Sequence, residues 1–327
     1  MRPITQENSR LGFVGIGYMG RPIARRLLES GFKLTAFDRN RAKAEELIPY
    51  GGEVAQSVSE LCSNCDVVLS CLPSDEAVLG LYKGPDGVFA HAHGGLLVID
   101  LSTVYPETSQ QLSRLGLEHG VEVLDVTISG STPAAENGLL TLFGGGDKKY
   151  FDAAESIFRV IAKKYFYLGP SGSGATMKLV VNTLLGIGMQ AIAEAVALGE
   201  KAGLDRIRLL GVLSQTAVVA PAHLGKLERA MKSDYSPQFP IRLMNKDFGL
   251  IFDLANAVGA RMPAAGAAFE INARQSDEGP EQDFSAVILQ MEKRAHLGSQ
   301  GNGHDSASSS TVPSLMHPGL TSNINDA

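Results

Sequence analysis

Leu11-Gly-Phe-Val-Gly15-Ile-Gly17-Tyr-Met-Gly20-Arg-Pro-Ile-Ala-Arg-Arg-Leu-Leu-Glu-Ser-Gly31-Phe-Lys-Leu-Thr-Ala-Phe-Asp38 decides the fold of the first half of this chain. Leu11 to Val14 is a short apolar run that reads as a buried strand. Gly15-Ile16-Gly17-Tyr18-Met19-Gly20 follows at once and fits G-x-G-x-x-G. Ile23, Ala24, Leu27 and Leu28 then recur at helical spacing, and Gly31 stops the helix. A second strand, Lys33 to Phe37, ends in Asp38. Strand, glycine turn, helix, strand and acid form the βαβ unit in which this glycine pattern binds a dinucleotide. Gly15 permits the tight turn, Gly17 lets the backbone approach a pyrophosphate, and Gly20 lets helix and strand pack closely. Ile16, Tyr18 and Met19 complete the loop at the positive end of the helix.

Asp38 stands 18 residues after Gly20, where an acid receives the hydroxyls of an adenosine ribose. A carboxylate there repels a 2′-phosphate and points to NAD. Arg39 follows directly and could receive that phosphate, which leaves NADP open.

A chain of 327 residues suits two domains, and 44% hydrophobic with 20% charged residues is ordinary for a globular protein. A formal net charge of −6 gives no reason to expect nucleic acid as a partner. No uninterrupted apolar run of about 18 residues suggests a membrane span. Met1 to Arg10 is short and polar for a targeting peptide, so a cytoplasmic location is expected. Cys62-Ser-Asn-Cys65 has C-x-x-C spacing, but no second pair and no nearby His accompany it, so no metal site is expected.

Further along, Arg41 to Leu47, Val58 to Cys62 and Tyr150 to Ile161 read as helices. Asp66 to Leu72 is a nearly continuous apolar run, typical of a strand covered on both faces. The carboxyl ends of such strands line a ligand crevice, which places Leu72 and Pro73 near the dinucleotide. Leu96 to Asp100 is the next strand, with Ser102 and Thr103 at its exit as N-capping types and Pro106 opening a helix. Val121 to Asp125 leads to Ser129-Gly130-Ser131-Thr132-Pro133, while Leu139 to Phe143 and Tyr165 to Leu168 read as later strands. From Ser171 the pattern turns helical to about residue 294. Ala175 to Gly199 is a long apolar helix, too long for its own domain to cover, so dimerisation is expected. Gly186 and Gly188 within it permit close helix approach.

Three constellations carry chemistry. Lys178 and Asn182 are four apart on one helix face among apolar neighbours, where an ammonium either snorkels to water or serves a reaction. Ser129, Gly130 and Ser131 offer hydroxyls and backbone N–H groups for a carboxylate, or form a plain polar turn. Lys246-Asp247 by itself reads as a solvated charge pair.

At these residues the sequence resembles the β-hydroxyacid dehydrogenase family, which includes 3-hydroxyisobutyrate dehydrogenases, tartronate semialdehyde reductases, and glyoxylate and succinic semialdehyde reductases. The matching segments are Gly12 to Gly20, Asp125 to Ser131, Gly172 to Asn182 and Lys246-Asp247-Phe-Gly-Leu, within about residues 10–294. The resemblance implies an α/β Rossmann dinucleotide-binding domain over 11–170, after an extension at 1–10. An all-α domain built on a long central helix follows over 171–295, with a disordered tail at 296–327. It implies a homodimer or homotetramer acting on a small carboxylate substrate. Lys178 matches the catalytic lysine and Asn182 the substrate-contacting asparagine. Ser129 and Gly130 match the residues that hold the substrate carboxylate. Thr103 matches the threonine near the nicotinamide, and Lys246 the lysine that closes over the cofactor. Many members carry Ser-Gly-Gly where this chain has Ser129-Gly130-Ser131, so the acid cradle itself differs. The expected reaction interconverts a β-hydroxy acid and its semialdehyde with Lys178 as general acid and base. An imine reductase and a non-enzymatic binding module share the resemblance, but both usually lack this lysine.

Overall fold

The computed structural model describes residues 2–297; the expected disordered tail lies almost wholly outside them. Eight strands form one sheet: β1 (Arg10–Val14), β2 (Lys33–Phe37), β3 (Glu53–Val54), β4 (Val67–Ser70), β5 (Leu97–Asp100), β6 (Glu122–Ser129), β7 (Leu140–Gly145) and β8 (Ala162–Tyr167). Their order is β3-β2-β1-β4-β5-β6-β7-β8. Every neighbouring pair is parallel except β6 and β7. All residues of β4 and β5 are buried, as expected where helices cover both faces of a parallel sheet. Phe13, Leu27, Leu69 and Phe158 pack on one side of this sheet, and Val68, Tyr82, Val98 and Val123 on the other.

The strand order reverses between β1 and β4, the point where an open α/β sheet forms its ligand crevice. Val14 is in register with both Phe37 and Ser70. The exits of β1, β2 and β4 therefore stand level, bringing Gly15, Asp38 and Cys71 together. β6 behaves differently. It pairs with β5 only through Asp125, then runs on to Ser129 against the antiparallel β7.

The expected helices differ in detail. Arg41–Glu45 is followed by a separate 3₁₀ turn, Ile48–Tyr50, before the left-handed Gly51. Ala154 divides the stretch after β7 into helices Lys148–Ala153 and Glu155–Ile161. The short helices Asp75–Tyr82, Val88–His91 and Thr132–Glu136 carry too little periodicity to have been read. Ser102 and Thr103 do not cap a helix: Tyr105 precedes Pro106–Glu118. Ser102 instead donates to the Asp100 carboxylate at 2.6 Å and accepts the Leu72 N–H at 2.9 Å, tying the exits of β4 and β5 together.

The long helix, Ser173–Lys201, is the spine of the second half. It is long and apolar enough to cross a bilayer, although Lys178, Asn182 and Gln190 interrupt its apolar run. Here Leu179, Met189, Ala193 and Val196 pack with Met244, Phe248, Ile271 and Val287 of the surrounding helices. Side chains at Gly186 and Gly188 would collide with Phe248 and His223, so both glycines permit close helix approach.

Candidate active site

The glycine loop fits a dinucleotide on its own geometry. Gly15 sits at φ 94°, and a side chain there would strike the Cys71 carbonyl. At Gly17 nothing lies within 4 Å of where a Cβ would stand, so the backbone is open to a ligand. The helix Gly20–Glu29 begins without a side-chain cap or an acid in its first turn. Ile16 is buried, Met19 packs on the core, and Tyr18 is exposed on the loop. Asp38 accepts the Ile16 N–H through Oδ2 and the Asn40 N–H through Oδ1, both at 2.8 Å. It thus braces the loop and still has lone pairs for ribose hydroxyls. Arg39 is exposed beside it. Leu72 lies against Gly15, and exposed Pro73 follows it at the exit of β4.

The second part of the site is assembled by β6. Successive side chains of a strand alternate faces, so Asp125, Thr127 and Ser129 share one. Asp125 is buried and accepts the N–H groups of Gly172 and Ala175, each at 2.9 Å. Thr127 donates to the Gly174 carbonyl at 2.8 Å. The start of the long helix is thereby fastened to β6. Gly174 is the only residue type that fits, because a side chain would collide with the Asp125 and Phe143 carbonyls.

Burial of the Asp125 carboxyl raises it to about 6, partly opposed by its backbone N–H bonds. In the sequence Asp125 reads as a strand end and as the start of a matching segment; its role as an anchor depends on a partner 47 positions away.

Lys178 is half-buried on the long helix. Desolvation brings its amine down to about 8; the Asp247 carboxylate works against this shift and the Lys246 ammonium adds to it. Asn182, one turn later, is fully buried and donates through Nδ2 to Asp247 Oδ2. A carboxylate only accepts, which fixes the amide orientation. Asn182 Oδ1 is left buried without a donor among the described residues.

Lys246-Asp247 is not a solvated pair. The helix Ile241–Val258 turns Asp247 inward, 2% exposed, while Lys246 Nζ lies 2.8 Å from Asp247 Oδ1 and donates to the Thr103 carbonyl at 2.5 Å. Lys246 thus links the helical half to the exit of β5. Asp247 had been read only as a charge partner, yet it joins Lys178, Asn182 and Lys246. Ser129 and Ser131 are half-buried and Gly130 is exposed with φ 138°. Cys62 and Cys65 are buried with thiols pushed up to about 11 and about 12 by desolvation, and no metal-holding cluster occurs among the described residues.

Comparison with known proteins gives a consistent result. Residues 10–169 match the NAD binding domain of 6-phosphogluconate dehydrogenase. Residues 172–291 match the NAD-binding domain of NADP-dependent 3-hydroxyisobutyrate dehydrogenase. The chain is 36% identical to glyoxylate/succinic semialdehyde reductase 1 of Arabidopsis thaliana, over 85% of this chain and 96% of that protein. It is 34% identical to the NAD-dependent L-serine dehydrogenase of Pseudomonas aeruginosa, with the same two coverages. The solved Mycobacterium tuberculosis 3-hydroxyisobutyrate dehydrogenase with L-serine superposes with a TM-score of 0.76 at 31% identity, over 86% of this chain and 99% of that one.

Proposed function

Because this chain belongs to the β-hydroxyacid dehydrogenase family of NAD(P)-dependent oxidoreductases, we propose that it interconverts a small β-hydroxy acid and its semialdehyde, with Lys178 as general acid and base. When bound, the nicotinamide exchanges a hydride with the carbon bearing the hydroxyl. The observation that carries the assignment of roles is Lys178 on the same helix face as Asn182, with the Asp247 carboxylate acting on both.

In the reductive direction the Lys178 ammonium polarises the carbonyl oxygen and donates a proton to it; in oxidation the neutral amine accepts that proton. Asn182, one turn from Lys178, orients the reacting oxygen. Asp247 holds the Asn182 amide and keeps positive charge on Lys178. Ser129 and the backbone N–H groups after it hold the carboxylate. The loop Gly15 to Gly20, with Asp38, Leu72, Pro73 and Thr103, holds the cofactor, and Lys246 closes over it. Asp38 favours NAD, with Arg39 the residue that would admit NADP. Lys178 favours this reaction over an imine-reductase-like one.

Val180, Leu184 and Leu198 are 49%, 71% and 72% exposed. At 3.6 residues per turn they fall in one stripe along the long helix. This stripe supports a homodimer or homotetramer built on that helix.

The test is Lys178→Ala. Turnover of small 3-hydroxy acids and semialdehydes, followed by NADH and NADPH absorbance, should fall by about 10³-fold or more. Dinucleotide binding, read by fluorescence, should persist. Loss of binding together with turnover would make Lys178 a structural residue and overturn the assignment.

A further inference from the structure

The exits of β4 and β5 hide an acid that the reaction does not use. Asp100 ends β5 and is fully buried, as are Ser70, Tyr82 and Ser102 around it. Ser70 and Ser102 both donate to Asp100 Oδ1, at 2.7 and 2.6 Å. A hydroxyl has one proton, and this contact uses it in each serine. Their lone pairs are left for other donors. Ser70 receives the Tyr82 hydroxyl at 2.7 Å, and Ser102 receives the Leu72 N–H at 2.9 Å. One acceptor oxygen at the end of β5 therefore sets the direction of every bond in the array.

The two arms run to different places. The Tyr82 arm ends in the core, with the Tyr82 and Phe89 rings 5.4 Å apart. The Ser102 arm ends at the glycine loop. There Leu72 Cδ2 lies 3.0 Å from where a Cβ on Gly15 would stand. Thr103, next after Ser102, gives its carbonyl to Lys246 of the helical half. Asp100 Oδ2 has no partner among the described residues, and burial raises this carboxyl above its usual range. A protonated carboxyl still accepts through Oδ1, so the array requires an acceptor rather than a charge.

We propose that Asp100 is a positioning residue for the dinucleotide. Through the Ser102 hydroxyl it holds the Leu72 backbone against the glycine loop, and so keeps that loop shaped for a pyrophosphate without touching the cofactor. This rests on reading the glycine loop as the dinucleotide site.

The experiment measures Kd for NADH and NADPH by fluorescence, together with thermal melting, on the full-length protein and its variants. Asp100→Ala and Ser102→Ala should each weaken binding of the preferred dinucleotide about ten-fold, the cost of one lost hydrogen bond. Both break the same link, so the double variant should bind no more weakly than Asp100→Ala. Asp100→Asn keeps an acceptor oxygen and should stay within about two-fold of wild type. Tyr82→Phe cuts the other arm and should lower the melting temperature with Kd unchanged. Should Asp100→Ala fail to fold, Ser102→Ala against Tyr82→Phe makes the same comparison. An unchanged Kd in Ser102→Ala, additive losses in the double variant, or equal weakening in Tyr82→Phe would make Asp100 a structural residue and overturn the proposal alone. Wild type that binds neither dinucleotide would overturn the reading of the loop as well.

Discussion

Replacing Asp125 by alanine separates two halves of the site without touching the reacting groups. The carboxylate, 2% exposed, accepts the Gly172 and Ala175 N–H groups at 2.9 Å each. Without it both donors are buried and unmet, at about 1–3 kcal/mol apiece. Taking roughly 3 kcal/mol in total, and about 2–4 °C per kcal/mol for a chain of this size, Asp125→Ala should melt about 6–12 °C lower. Lys178 begins only three residues after Ala175, so a displaced helix start should also lower kcat, by about 10–100-fold. Asp125→Asn retains one acceptor and should show about half the thermal effect. Thermal melts by circular dichroism, with kcat and KM measured well below the transition, read both. A variant melting within about 2 °C of wild type with full kcat would refute the claim that this carboxylate fastens the catalytic helix. The pH dependence has a definite sign. Burial raises the folded carboxyl from 3.8 to about 6, so the folded state takes up the proton first. Wild type should therefore gain stability relative to Asp125→Asn as pH falls from about 6 towards 4.

Three further outcomes are expected. With Lys178 at about 8, reductive kcat should fall above that pH and oxidative kcat should rise through it; Asp247→Asn, which removes the charge favouring the ammonium, should move both midpoints lower, and identical profiles in the two directions would exclude Lys178 as the proton carrier. Asp38→Ser should shift the NADPH-to-NADH ratio of kcat/KM at least ten-fold towards NADPH, since the repelling carboxylate is gone; an unchanged ratio would assign selection to Arg39. Leu184→Asp, at the most exposed part of the stripe on the first half of the long helix, should reduce the assembly to monomers in size-exclusion chromatography with light scattering; an unaltered mass would place the interface elsewhere.

The glycine loop was legible because its grammar is local: turn, helix and second strand all follow within 28 residues. Lys178 and Asn182 were legible for the same reason, being one turn apart on one helix. What escaped notice depends on distant partners. Asp247 looked solvated beside Lys246, and only its hydrogen bond to Asn182, 65 positions away, turns it into part of the site. Ser102 looked like a helix cap because its residue type suits one, yet the buried Asp100 carboxylate outcompetes the helix for its hydroxyl. Helices such as Thr132–Glu136 span little more than one turn, too short for a period of 3.6 to declare itself.

The shared face of Asp125, Thr127 and Ser129 has a consequence for recombining members of this fold. A chimera cut between the sheet and the long helix, near residue 170, looks natural on the backbone alone. It would pair one parent's strand with another parent's helix start, leaving the two N–H acceptors, the threonine strap and the narrow seat for Gly174 to match by chance. A slip of β6 by one residue would turn all three side chains away together. Residues 122–182 are thus best inherited as a single block, and viable crossovers should cluster before β6 or beyond Asn182.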